Sequence, residues 1–172
     1  DGFNVCLRGD DDPRYFTTQA DATHFSQCKG LIHSENGLYE AMMDDAINVH
    51  GIYLKVKERI DERTLRCSYE HEQAWGFAWG DVGDSVCFVK ANTMEMLEHR
   101  NVIKAISCQP SAISSQQTSS TVGVKEFIIT LEDALPEEIN ADVAYGIENL
   151  SWTPEVIFRN NIIRNNRARG AL

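Results

Sequence analysis

Short apolar and polar residues alternate along most of this chain. Thr64-Leu65-Arg66-Cys67-Ser68-Tyr69 alternates, and so does Ser85-Val86-Cys87-Phe88-Val89-Lys90. Phe127-Ile128-Ile129-Thr130-Leu131 is a shorter apolar run of the same kind. A period of two over four to eight residues predicts β-strands, and no segment carries a convincing helical period. Gly80-Asp81-Val82-Gly83-Asp84 predicts a turn between two of these strands. The polar run 111–121, rich in Ser, Gln and Thr, predicts a loop.

The two ends of the chain share a second pattern. Ile32, Asn36, Leu38, Ala46 and Ile47 match Ile157, Asn161, Ile163, Ala171 and Leu172 at a constant offset of 125. Val156-Ile157-Phe158-Arg159-Asn160-Asn161-Ile162-Ile163 shows the motif most clearly: a short strand, an Asn corner, and a second short strand. Repeats of this kind read as coils of a parallel β-helix. A shorter offset gives the coil length. Asp21-Ala22 lies 24 positions before Asp45-Ala46, and stacked rungs sit about 4.8 Å apart. The residues between the matching coils are then an insertion of short strands, which suggests a small β-barrel or sandwich.

The expected fold is all-β, with right-handed parallel β-helix coils interrupted by an inserted small antiparallel β-barrel. Residues 1–55 form coils, 56–142 the inserted barrel, and 143–172 the return to coils. The start of the insertion is open, because Ile52-Tyr53-Leu54-Lys55-Val56 suits a strand of either part.

Charge narrows the partners. The formal net charge is −10 over 172 residues, which argues against nucleic acid and against an anionic membrane surface. No apolar run reaches 18 residues, so no membrane-spanning helix is expected. Five cysteines, an odd number without a CxxC motif, argue against a disulfide framework or a zinc site. Each is expected to pack as a small apolar side chain. The histidines lack ligand spacing, and neither a metal nor a cofactor is expected. The chain begins at Asp1 and ends within an expected strand, and reads as a piece of a longer protein.

The coil offset places Asp21 over Asp45, with Asp44 beside them. Gathering carboxylates costs free energy through like-charge repulsion, so such a cluster points to chemistry. Glycoside hydrolysis is the reaction that uses one carboxyl as an acid at the leaving oxygen and another as a base toward water. On a regular strand Asp44 would face away from Asp45; at a corner or bulge it reaches the same cleft. The structural alternative is that Asp44-Asp45 serves as a turn. Asn48 and His50 share a strand face, and His24 falls one coil before Asn48. On an outer cleft these would hydrogen-bond sugar hydroxyls. Arg167 and Arg169, one coil beyond the pair, would bind hydroxyls or moderate the carboxylate charge. Glu35, Asn36 and Glu40 approach the cleft if the register holds. Trp75 and Trp79 suit a barrel core better than a sugar platform.

Ala20-Asp21-Ala22-Thr23-His24-Phe25, then Glu35-Asn36-Gly37-Leu38-Tyr39-Glu40-Ala41-Met42-Met43-Asp44-Asp45-Ala46-Ile47-Asn48-Val49-His50-Gly51, closely resembles the α-1,3-galactosidases of glycoside hydrolase family 110. Asn149-Leu150-Ser151-Trp152-Thr153-Pro154-Glu155-Val156 and Arg167-Ala168-Arg169-Gly170 fit the same family. The resemblance implies removal of terminal α-1,3-linked galactose, blood group B type or linear, by an inverting mechanism without a cofactor. It maps the catalytic aspartates onto Asp21, Asp44 and Asp45. By analogy with the polygalacturonases it makes Asp44 the acid, with Asp21 and Asp45 holding the water. It further implies a bacterial protein of the periplasm or exterior. The alternatives are a polygalacturonase-like hydrolase and a carbohydrate-binding β-helix piece without turnover. Open strand edges make a homodimer plausible.

Overall fold

The computed structural model describes residues 2–109, 123–140 and 144–172, so the expected loop at 111–121 lies outside the described residues. In chain order the strands are β1 (Asn4–Val5), β2 (Thr23–Ser26), β3 (Leu31–Glu35), β4 (Leu38–Glu40), β5 (Ile47–His50), β6 (Leu54–Arg59), β7 (Thr64–Ser68), β8 (Ser85–Lys90), β9 (Met96–Gln109), β10 (Glu126–Leu131), β11 (Tyr145–Asn149), β12 (Glu155–Arg159) and β13 (Ile162–Arg164). Two 3-10 turns, Glu72–Ala74 and Leu150–Trp152, are the only helical elements among the described residues. None is long and apolar enough to cross a membrane. The chain is all-β, as its alternation predicts. It divides into two units, Asp1–Gly51 with Trp152–Leu172, and Ile52–Ser151.

In the first unit every strand pairing is parallel: β2 with β5, β3 with β12, and β4 with both β1 and β13. Thr23 faces Ile47 and His24 faces Asn48. The chain therefore returns on itself as coils of a parallel β-helix, with the 24-residue step read from the two Asp-Ala pairs. The longer step needs correction by one residue. Ile32 faces Val156 and Leu38 faces Ile162, an offset of 124 where 125 was expected. A slip of one residue exchanges the two faces of a strand, so the difference matters. The error came from aligning Asn36 with Asn161. The residues that turn the corner in the left-handed region are Asn36 (φ 57) and Asn160 (φ 53), followed one corner later by Ala41 (φ 60) and Asn165 (φ 58). Asn tolerates this conformation better than most residues.

Asn161 has a different task. Its Oδ1 accepts from Gly37 N at 2.8 Å and from Ser34 Oγ at 3.2 Å, and its Nδ2 donates to Ser34 O at 2.9 Å. One side chain thus knits two rungs together. Gly37 is required there by space. A Cβ on it would stand 2.7 Å from Phe3 O and 2.9 Å from Asn161 Oδ1. Gly37→Ala is expected to cost about 1–3 kcal/mol by overpacking, measured as a lower midpoint in denaturant unfolding. Buried Tyr39 continues the stack, with Phe3 6.1 Å and Phe158 6.0 Å away, centroid to centroid.

A ladder of ion pairs runs up the same coils. Glu35 bonds Arg159 at 2.8 Å, Glu40 bonds Arg164 at 2.8 Å, and Asp45 bonds Arg169 at 3.1 Å. The acids recur every fifth residue, and so do the arginines. The Glu35 carboxyl is held below the usual glutamate range, chiefly by its hydrogen bond from Arg159 and despite some desolvation. A carboxyl depressed on folding stabilises the fold above its unfolded pKa and loses that contribution as pH falls through its folded value. Arg159→Gln should therefore lower the Tm at pH 7 by a small margin, since the arginine of the pair is exposed. The gap from wild type should narrow as the pH drops below about 4.5, the ordinary Glu value. A gap that widens on acidification would remove the pair from the ladder.

The second unit is a closed antiparallel barrel in the order β10-β7-β6-β11-β8-β9. β10 and β11 bury every second residue, as a one-sided core requires, whereas β8 buries Val86 to Val89 in succession. Irregularities at Val56/Glu58, Cys87/Val89 and Thr130/Leu131 bend the strands toward closure. Leu54, Leu65, Cys67, Trp79, Phe88, Phe127, Ile129 and Ile147 fill the interior. The unit boundaries differ from the sequence-based ones at 55/56 and 142/143. Leu54 faces Ile147 and Lys55 faces Gly146, so β6 and β11 are adjacent staves of the barrel. The 142/143 position itself lies outside the described residues.

The cysteines pack as small side chains only in part. All five thiols are free, but only Cys67 and Cys87 are buried; Cys6 and Cys28 are half-buried and Cys108 is exposed. Burial pushes the Cys87 thiol up to about 11, and the Cys67 thiol still higher. Asn149 heads a formal glycosylation sequon but is only 3% exposed. Its Nδ2 donates to Trp79 O and Asp84 Oδ2, so it is a structural residue of the barrel.

Candidate active site

Three carboxyl groups converge on one face of the coil unit. Asp21 lies two residues before the strand Thr23–Ser26, and Asp44 and Asp45 lie three and two residues before Ile47–His50, one rung on. Their nearest carboxylate oxygens all lie within 4.8 Å of one another. The rung register accounts for this. Ala22 N donates to Asp45 O at 2.9 Å, and Asp45 N donates to Asp21 Oδ1 at 3.1 Å. The upper aspartate's backbone thus holds the lower aspartate's side chain.

The three differ in their surroundings. Asp45 is 1% exposed. Its Oδ1 accepts from Arg169 N at 2.7 Å and Arg169 Nε at 3.3 Å, and its Oδ2 accepts from an Arg169 terminal nitrogen at 3.1 Å. The backbone part of this grip is set by the next coil, where Ala46 N donates to Arg169 O and Ile47 N to Gly170 O. Asp21 is half-buried. Besides Asp45 N it accepts from Asn48 Nδ2 at 3.3 Å, and His24 Nδ1 lies 3.1 Å from its Oδ2. The Asn48 Oδ1 is buried and has no partner among the described residues. Orienting the amide nitrogen toward Asp21 leaves its oxygen unpaired. Asp44 is exposed and has no hydrogen-bond or ion-pair partner among the described residues.

His24 and His50 complete the face. Their Nε2 atoms are 2.6 Å apart and their ring centroids 4.8 Å apart. His50 Nδ1 is 2.8 Å from the carbonyl oxygen of Gly51. Asn48 sits between them on the strand face, opposite His24 in register. Of the arginines, only Arg169 reaches the carboxylates. The Arg167 guanidinium lies over the Phe16 ring, 5.4 Å from its centroid, and its backbone N donates to Met42 O. Glu35 and Glu40 belong to the ion-pair ladder. Trp79 is in the barrel core, and Trp75 packs against that core.

The trio is spaced closely enough for a cation to bridge it. Asp45 already has its positive partner in Arg169, however, and both of its oxygens are engaged. The arrangement suits proton transfer better: two carboxylates gripped by donors, and a third with open lone pairs. Sequence reasoning paired Arg169 with the site but missed the ladder that places it. The signal was there, as acids at 35, 40 and 45 matched by arginines at 159, 164 and 169. The contact between His24 and His50 had no such signal.

No protein-family model matches the chain. Over all 172 residues it is 58% identical to a protein of Bacteroides fragilis named alpha-1,3-galactosidase B, and over 170 residues 59% identical to one of the same name from Phocaeicola vulgatus. It is 32% identical over 167 residues to an alpha-1,3-galactosidase A of Bacteroides fragilis. The chain spans 28% of the length of the first two relatives and 25% of the third.

Proposed function

We propose that this chain carries the catalytic carboxyl groups of a glycoside hydrolase of family 110 that removes terminal α-1,3-linked galactose, in blood group B type or linear galactosides. The observation that carries the reading is the convergence of Asp21, Asp44 and Asp45 within 4.8 Å on successive rungs. Similarity to proteins named α-1,3-galactosidase supplies the substrate class.

The roles follow from the surroundings. Asp44 is exposed and unpartnered, so it can present a proton to the glycosidic oxygen. Asp21 and Asp45 are fixed by donors and cradle the attacking water. Cleavage builds positive charge on the galactose ring, and the carboxylates beside it stabilise that charge. Arg169 keeps Asp45 in place and limits repulsion within the trio.

The proposed course is inverting. The short spacing of the carboxylates favours a second reading, since retaining enzymes hold their two carboxyls at about 5 Å and inverting ones farther apart. In that case Asp21 or Asp45 attacks the sugar directly. Proton NMR of the first sugar released from galactosyl-α-1,3-galactose by the intact protein separates the two. β-Galactose indicates inversion, and α-galactose indicates retention. Hydrolysis of oligogalacturonate instead would favour a polygalacturonase-like enzyme, and binding without release of galactose a lectin-like role.

A further inference from the structure

The two histidines were expected to bind sugar hydroxyls, but their bonding has a proton count that points elsewhere. Three contacts run in series from the Asp21 carboxylate: to His24 Nδ1 at 3.1 Å, from His24 Nε2 to His50 Nε2 at 2.6 Å, and from His50 Nδ1 to Gly51 O at 2.8 Å. Each contact needs one hydrogen. The carbonyl oxygen of Gly51 can only accept, so His50 Nδ1 must donate. Two neutral imidazoles carry one N–H each, which makes two hydrogens for three contacts. A distance of 2.6 Å between two bare ring nitrogens would be repulsive. The chain is satisfied only when it holds one proton more than an ionised Asp21 with two neutral rings.

We propose that His24 and His50 form a proton relay between Asp21 and solvent, which returns Asp21 to its basic form after each turnover. This deepens the hydrolase reading and rests on Asp21 serving there as the base. The water oxygen bonds to the galactose carbon while the glycosidic C–O bond breaks. Asp44 gives its proton to the departing oxygen, and the water gives one proton to Asp21. At the end of the step Asp21 holds a proton too many and Asp44 one too few. The water-derived proton is the third hydrogen of the relay. It leaves from the contact between the two rings, where both histidines are exposed. Asp44, itself exposed, regains a proton from solvent.

Position supports the assignment. His24 and His50 are held by adjacent parallel strands with Thr23 facing Ile47 and Ser26 facing His50, so the fold fixes the separation of the rings. The other charged groups gathered at Asp21 are Asp44, Asp45 and Arg169, and Arg169 is committed to Asp45. The only imidazole within hydrogen-bond reach of Asp21 among the described residues is His24. His24 and His50 are thus relay and positioning residues that act through Asp21, whereas a sugar ligand would touch the substrate.

The test uses the intact protein with an aryl α-galactoside and with galactosyl-α-1,3-galactose. His50→Ala should lower kcat about tenfold or somewhat more, less than the 10²–10⁴ expected for removing a general acid or base itself. KM should barely change, the pH profile of kcat should alter its shape, and added imidazole should restore the rate in a saturable way. As a second measurement, NMR of the ring nitrogens should show one hydrogen shared between His24 Nε2 and His50 Nε2, with the His50 signal displaced in Asp21→Asn. A raised KM with unchanged kcat would make His50 a sugar contact and overturn the relay. Absence of a shared hydrogen between the two rings, or failure of imidazole to rescue, would also overturn it. If Asp21→Asn turned over normally, the hydrolase site would fall. An inert Asp21→Asn beside a fully active His50→Ala would remove the relay alone.

Discussion

Asp44→Asn in the intact protein is expected to lower kcat on galactosyl-α-1,3-galactose by about 10²–10⁴-fold, the usual contribution of a general acid. KM should change little, because the proton moves only in the transition state. The asparagine is nearly the same size, and Asp44 has no partner among the described residues whose loss would disturb the fold. The same variant should lose far less on an aryl galactoside whose phenol is a good leaving group, since that departure needs little protonation. Asp21→Asn and Asp45→Asn should be impaired on both substrates, as groups that hold the water. Asp45→Asn should also lower the Tm, because it removes the acidic partner of Arg169 from a buried position. If Asp44→Asn fell equally on both substrates, Asp44 would not be the acid. If it kept near-normal turnover on the natural linkage, it would leave the site altogether.

The parts of this architecture that were legible in the sequence are those written in local periodicity. Alternation marked β7 and β10 because a barrel stave shows one face to the core and one to solvent, whereas β8, read from the same kind of pattern, buries Val86 to Val89 in a row. The spacing of Asp21-Ala22 and Asp45-Ala46 gave the coil step, because stacked rungs repeat the same corner. The long-range register was less legible. Two adjacent asparagines, Asn160 and Asn161, do different work: one adopts a positive φ, and the other bonds across rungs. Residue identity alone cannot tell which is which, and the alignment moved by one position. The barrel boundaries were blurred for a related reason. β6 and β11 lie far apart in sequence and become recognisable as barrel strands only through each other. The histidine contact shows the same limit. His24 was matched to Asn48, its true register partner, yet its ring reaches diagonally to His50. Such diagonal neighbours are set by side-chain length and direction rather than by spacing.

Trp79→Ala is expected to be among the most destabilising single changes in the barrel, at about 3–5 kcal/mol. Trp79 is 0% exposed, so truncation leaves a cavity in the barrel core. The indole also makes a directional bond, with Nε1 donating to Ile52 O at 2.7 Å. Its own carbonyl accepts from Asn149, which in turn bonds Asp84 at the turn before β8. Trp79→Phe separates the two contributions. It keeps most of the ring but removes the hydrogen bond to Ile52 O, at a cost of about 0.5–1.5 kcal/mol. Urea unfolding of the intact protein, followed by a probe within the barrel, should rank wild type above Trp79→Phe and Trp79→Phe above Trp79→Ala. An aromatic platform for sugar would behave in the opposite way: both variants would keep their stability, and galactoside affinity would fall. The burial of the ring and its hydrogen bond decide between these before any sugar is added, because a face that stacks on a ligand must first be open to it.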